Sequence, residues 1–191
     1  MVLGYLGIDE SNHGRYPEIF VGVHSTIAKD KRKGEFPKIR RKIRSIEKEI
    51  SDNGQKRDYR FVSIPEEFSD YLTRDQLALV AMSELIIFYD IPSNVNGVTL
   101  DTVLIDGNRS CSEVDKLKEI IYPHTPKINC IPKGDKLYRI VNLADLAAHA
   151  LFREYTSTNP QRTLEDSFDN KLIVPNLEEY IDFFRQDRKI Y

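Results

Sequence analysis

Three apolar segments that each run into an aspartate constrain this chain more than any other feature. "VLGYLGID" (2–9), "DTVLID" (101–106) and "PKINCIPKGD" (126–135) have the apolar and β-branched character of strands, and they end at Asp9, Asp106 and Asp135. Two further strands are expected at "EIFVGVHST" (18–26) and "DYRFVSI" (58–64), the former joined to the first strand by Asn-His-Gly and Tyr-Pro turn chemistry. Between the strands the apolar period lengthens to that of helices. Ile39, Ile43, Ile46 and Ile50 behind Pro37 predict a basic amphipathic helix closed by Asp52, Asn53 and Gly54. Phe68, Leu72, Leu77, Val80, Ala81, Leu85 and Phe88 predict a long helix from Pro65 to about Asp90. "SEVDKLKEIIY" (112–122), "LYRIVNLADLAAHALFREY" (137–155) and "NLEEYIDFFRQD" (176–187) predict three more.

The order β-β-β-α-β-α-β-α, with the basic helix inserted between the second and third strands, describes an α/β protein with a mixed sheet flanked by helices. A length of 191 residues fits one domain over 1–191, with 29–57 as a basic helical insertion and 156–191 as a C-terminal extension. The net charge of −2 conceals an asymmetry: residues 29–48 hold ten Lys or Arg against three Asp or Glu, so that stretch is +7 and the remainder −9.

Cys111 and Cys130 have no CxxC partner and read as reduced thiols. The first residues lack the basic start and apolar core of a signal peptide, and no apolar run approaches the roughly 18 to 20 residues of a membrane span. Asn108-Arg109-Ser110 is a glycosylation sequon only for a secreted chain. The expectation is a soluble cytoplasmic protein with no membrane partner and no organic cofactor.

In α/β sheets, ligands gather outside the carboxyl ends of the strands. If strands one, four and five are parallel neighbours, Asp9, Asp106 and Asp135 converge there. Each carboxylate pair about 5 Å apart would then repel by roughly 3 kcal/mol at an effective dielectric near 20, unless a cation sits between them. Hard oxygen donors without cysteine point to Mg²⁺ or Mn²⁺. A lone strand-end aspartate is more often a turn or helix cap; three of them on separate apolar strands argue otherwise. Glu10 lies beside Asp9 and is open to a solvated role. Asp145 lies at the edge of the helical stripe Leu137, Val141, Ala144, Ala148 and Leu151, where an acid is costly unless it is paired or metal-bound, and His149 follows one turn later on the same flank.

"GIDES", "LIDG" and "KGDKLYRIVNLADLAAHAL" resemble the type 2 ribonucleases H, in the order and spacing of that family over most of residues 4–152. The resemblance implies a ribonuclease H-like fold, metal-binding acids at Asp9, Glu10, Asp106 and Asp135, and hydrolysis of RNA in hybrid or chimeric duplexes by two bridged Mg²⁺ or Mn²⁺ ions. Gly14 and Arg15 stand where the family contacts the ribose 2′-hydroxyl. The D-E-S opening and A-D-L-A helix also resemble an uncharacterised ribonuclease-H-like group, in which Asp145 would complete the site. The fourth ligand is therefore open between Asp135 and Asp145. Lys133 is in place to reach a phosphate, and Arg40, Arg41 and Arg44 to supply salt-sensitive nucleic-acid affinity. The other reading of the same residues is a nucleic-acid-binding module of this fold that does not turn substrate over.

Overall fold

The computed structural model describes residues 2–11, 16–52, 56–157 and 171–187. Its strands are β1 (Leu3–Ser11), β2 (Glu18–Ser25), β3 (Arg57–Ile64), β4 (Thr99–Asp106), β5 (Lys127–Ile131) and β6 (Leu172–Ile173). They form one sheet in the order β5-β4-β1-β2-β3-β6. β1, β4 and β5 are parallel neighbours, whereas β1-β2 and β2-β3 are antiparallel. The sheet is mixed, as the sequence predicts.

The helices are α1 (Ile43–Ser51), α2 (Arg74–Asp90), α3 (Cys111–Ile121), a single turn α4 (Gly134–Leu137), α5 (Arg139–Ser157) and α6 (Leu177–Asp187). Side chains alternate across a strand, so each strand feeds two cores. Leu6, Ile8, Phe20, Val103 and Ile105 pack with Leu77, Val80 and Leu85 of α2, Leu117 of α3 and Phe184 of α6. Tyr5, Val21, Val23, Phe61 and Leu104 pack on the other face with Ile43, Ile46 and Ile50 of α1 and with Ile140, Leu143, Ala147 and Leu151 of α5. Gly7 lets α5 lie directly on β1: a Cβ there would stand 2.6 Å from the Ile140 carbonyl carbon.

Two strand ends differ from the sequence expectation, since β1 runs on past Asp9 to Ser11 and β5 stops at Ile131 with Asp135 in the helical turn α4, and so do the limits of three helices. The basic helix starts at Ile43 rather than Pro37, and Ile39 is 57% exposed. Residues 34–42 run as an extended strap instead, because α4 and α5 offer it tertiary partners: Gly34 N–H donates to Leu137 O, Phe36 N–H to Lys136 O, and Asn142 Nδ2 to Pro37 O. At its other end the helix runs to Ser51 with Asp52 as its cap, while Asn53 and Gly54 lie outside the described residues. The long helix after Pro65 is split into a 3₁₀ turn (Glu66–Asp70) and α2, since Thr73 and Gln76 form a reciprocal capping box that starts a new helix. Likewise α5 begins at Arg139 because Tyr138 is extended. β6, only two residues long, carries too little pattern to be expected. No helix among the described residues is long and apolar enough to cross a membrane.

A buried ion pair anchors the base of the insertion. Arg57 donates from Nε and Nη2 to Asp30 at 2.7 and 2.8 Å, Ser25 Oγ donates to the same carboxylate, and both charged residues are buried.

His24 of β2 is also buried. Its ring stacks on Tyr89 at 5.2 Å, and its Nε2 has no hydrogen-bond partner. Burial lowers its pKa to about 4, against the weaker opposing charge of Asp58. The folded state therefore resists a proton that the unfolded chain accepts below about pH 6.5. Stability contributed by neutral His24 is complete above that pH and is lost as pH falls toward 4. The expected loss is about 2 kcal/mol between pH 7 and 5. Urea midpoints of the wild type and His24→Phe check this: the variant should show a shallower decline, and parallel declines would remove His24 as the cause.

Candidate active site

The parallel register sets the first two acids side by side. Gly7 pairs with Leu104 and Ile8 with Ile105, so the next residue of β1, Asp9, comes level with Asp106, the last residue of β4. β5 continues the row, with Asp106 opposite Ile131. The chain then turns at Lys133, whose φ of +60° is left-handed, and brings Gly134 and Asp135 back against Asp106. The Asp135 N–H donates to Asp106 Oδ1 at 3.3 Å, and a Cβ on Gly134 would stand 3.3 Å from that same oxygen. α5 lies over β1 and contributes Asp145.

The four aspartates form one electrostatic unit. Burial most strongly raises the Asp9 pKa well above the ordinary carboxylate range, followed by the charges of Asp106 and Asp145 and, more weakly, Asp135. The Glu10 N–H donates to Asp9 Oδ1 at 2.7 Å, while Oδ2 is buried without a partner. Burial and the charge of Asp135 raise Asp106 too. Asp145 goes the other way: burial pushes its pKa up, but the His149 hydrogen bond and the charge of Lys38 outweigh this and lower it. Its Oδ1 is 3.2 Å from both His149 Nε2 and Lys38 Nζ, while Oδ2 has no partner.

Lys38 had no signal in the sequence. Its ammonium is 2.7 Å from Asp135 Oδ2 as well as 3.2 Å from Asp145. Burial works to lower its pKa, but the hydrogen bond to Asp135 and the charges of both acids raise it.

Glu10 is not among these neighbours. Alternation along β1 points it away from the α5 face that Asp9 shares, and Arg109 Nη2 lies 3.2 Å from its Oε2. The basic residues separate as well. Arg41 gives its guanidinium to Glu49 and to Ser45, a strut between the strap and α1, whereas Arg40 and Arg44 are exposed. Lys38, Arg40, Arg41, His149 and Arg153 line a cavity of about 440 Å³ that reaches Asp145. Lys133 is exposed beside Asp135. Gly14 and Arg15 lie outside the described residues.

Among the described residues, no three Asp, Glu, His or Cys side chains converge to ligate one ion as they stand. The donor chemistry fits Mg²⁺ or Mn²⁺ nonetheless. These ions are held by one or two protein carboxylates, with water completing the shell, and Asp9 presents a buried carboxylate oxygen that lacks any other partner.

No family model and no curated protein matches the sequence. Solved structures do match the fold. A chain of the PCNA:RNase HII complex from Archaeoglobus fulgidus superposes with a TM-score of 0.56 at 13% identity, over 82% of each chain. A point mutant of Bst-RNase HIII superposes with a TM-score of 0.56 at 11% identity, over 80% of this chain and 53% of that one. With its strand order and flanking helices, the chain has a ribonuclease H-like fold.

Proposed function

We propose that this protein is a divalent-metal-dependent endonuclease that hydrolyses phosphodiester bonds, with RNA in RNA/DNA hybrid or chimeric duplexes as its substrate. The observation that carries this reading is the buried, unpartnered Oδ2 of Asp9, on which the charges of three other aspartates act. A fold gains no stability from such a cluster, so its value must lie in what it binds.

Asp9 and Asp106, with Asp135 or Asp145, are the residues that would hold Mg²⁺ or Mn²⁺. The bound metal would supply an activated water and neutralise charge on the attacked phosphate. The chain's own residues do the rest. The Asp135 N–H donates to Asp106 Oδ1 and holds its carboxylate at the strand end. Lys133, Arg40 and Arg44 stand on exposed ground where phosphates of a duplex would pass, and 2′-hydroxyls distinguish RNA from DNA there. Glu10, bridged to Arg109, serves this reading as a ligand only if that ion pair opens; as it stands, it fixes the loop after β4.

The nucleic-acid reading makes a salt prediction. Arg40→Gln with Arg44→Gln should flatten the dependence of log K on log salt by about one to two, at about 0.9 per lost phosphate contact. Arg41→Gln should instead lower stability. An unchanged slope would return the strap to a structural role.

The direct test incubates the protein with labelled RNA/DNA hybrid, single-ribonucleotide duplex, single-stranded RNA and DNA, under Mg²⁺, Mn²⁺ or chelator. Cleavage of the ribose-containing duplexes, abolished by chelator and by Asp106→Asn, is expected. Salt-sensitive binding without cleavage under either metal would favour the non-catalytic module.

A further inference from the structure

Lys38 occupies a place that a metal-binding reading of the cluster leaves for a cation. Its Nζ stands 2.7 Å from Asp135 Oδ2 and 3.2 Å from Asp145 Oδ1, two carboxylates each 2% exposed. The lysine does not arrive there on a free arm. The strap that carries it is hydrogen-bonded on one side through Gly34 to Leu137 O and Phe36 to Lys136 O, and on the other by Arg153, which donates to Arg41 O. Between those anchors, Asn142 of α5 donates to Pro37 O. Backbone and side-chain contacts thus deliver one ammonium to one half of the acid cluster.

The other half is not neutralised. Asp9 Oδ2 is buried and without a partner, and Asp106, next to it in the sheet, has no cationic side chain among its described contacts. Four carboxylates beside one ammonium leave an excess of three negative charges. One divalent ion reduces that to one; a second would turn the cluster positive and set the ion against the ammonium on the same two carboxylates.

We propose that Lys38 is a resident cation of this site: it holds the Asp135 and Asp145 half, so that the protein takes one divalent ion, between Asp9 and Asp106, rather than two. This rests on the metal-binding reading of the cluster. Lys38 is then a positioning residue, orienting two carboxylates and fixing metal stoichiometry, and the side chain on its extended strap is the element that sets it.

The test counts Mn²⁺ bound at saturation, by the free-Mn²⁺ paramagnetic resonance signal, for the wild type, Lys38→Met and Lys38→Arg. The Lys38 side chain is 48% exposed, so its replacement leaves the core intact. One ion in the wild type, two in Lys38→Met and one in Lys38→Arg are expected. Two ions in the wild type, one in Lys38→Met, or two in Lys38→Arg would each overturn the role of Lys38 while leaving the metal site standing. No ion bound by any of the three would overturn the metal reading itself, and this proposal with it.

Discussion

Asp9→Asn is expected to abolish metal-dependent cleavage and, in the same protein, to make the metal-free fold more stable. The two effects share one cause. Asp9 is 7% exposed, its Oδ2 has no partner, and Asp106, Asp145 and Asp135 all press their charge on it. An asparagine keeps the shape and still accepts the Glu10 N–H through its oxygen, while its amide group turns a repelled atom into a donor facing carboxylates. Relief of an unsatisfied buried group of this kind amounts to about 1 to 2 kcal/mol. Activity should fall at least about 10³-fold, or about 4 kcal/mol in the barrier, because the residue central to holding the ion is gone. Millimolar Mn²⁺ separates the two effects: it should raise the melting temperature of the wild type and leave that of Asp9→Asn nearly unchanged, since an ion stabilises only the state that binds it. A variant less stable than the wild type in chelator would show that Asp9 is a structural group, and the metal reading would lose its main support.

The parts of this site that were legible in the sequence are those carried by periodicity. Strands one, four and five could be read as apolar runs, and their shared end follows from parallel pairing, so the meeting of Asp9, Asp106 and Asp135 needed no coordinates to be expected. Asp145 was legible as an acid on an apolar helical flank, and it was the family resemblance rather than periodicity that set it in one site with Asp9. Lys38 was hidden for a physical reason. It lies on a strap whose course is set by hydrogen bonds to α4 and α5, contacts far away in sequence, and Ile39 sits at a spacing that continues the stripe of Ile43, Ile46 and Ile50. A helical pattern one turn too long therefore absorbed the lysine whose ammonium faces both Asp135 and Asp145. Glu10 shows the opposite case. The period of two along β1 already separates it from Asp9, but adjacency in a motif is the stronger impression on the page.

The closeness of α5 to β1 is what gathers the fourth acid, and a single methyl group tests it. Gly7→Ala should cost about 3 kcal/mol, at the upper end of overpacking effects. The new Cβ would stand 2.6 Å from the Ile140 carbonyl carbon and 2.8 Å from both Ile140 O and Val141 N. These are backbone atoms at the first turn of α5, with no rotamer to relieve the contact, so the helix must move away from the strand. Gly22 provides the control in the neighbouring strand. The tightest contacts of a Cβ there are with the ends of the Leu6 and Leu85 side chains at 3.1 Å, which a few tenths of an ångström relieve, and Gly22→Ala should stay within about 1 kcal/mol of the wild type. The helix carries Asp145 with it, and Asp145 acts on Asp9 across this interface. Gly7→Ala should therefore weaken stabilisation by Mn²⁺ as well as the fold, whereas Gly22→Ala should leave the metal response intact. Equal urea midpoints for the two variants would mean that α5 yields without cost, and the acid cluster would then owe its geometry to the strand ends alone.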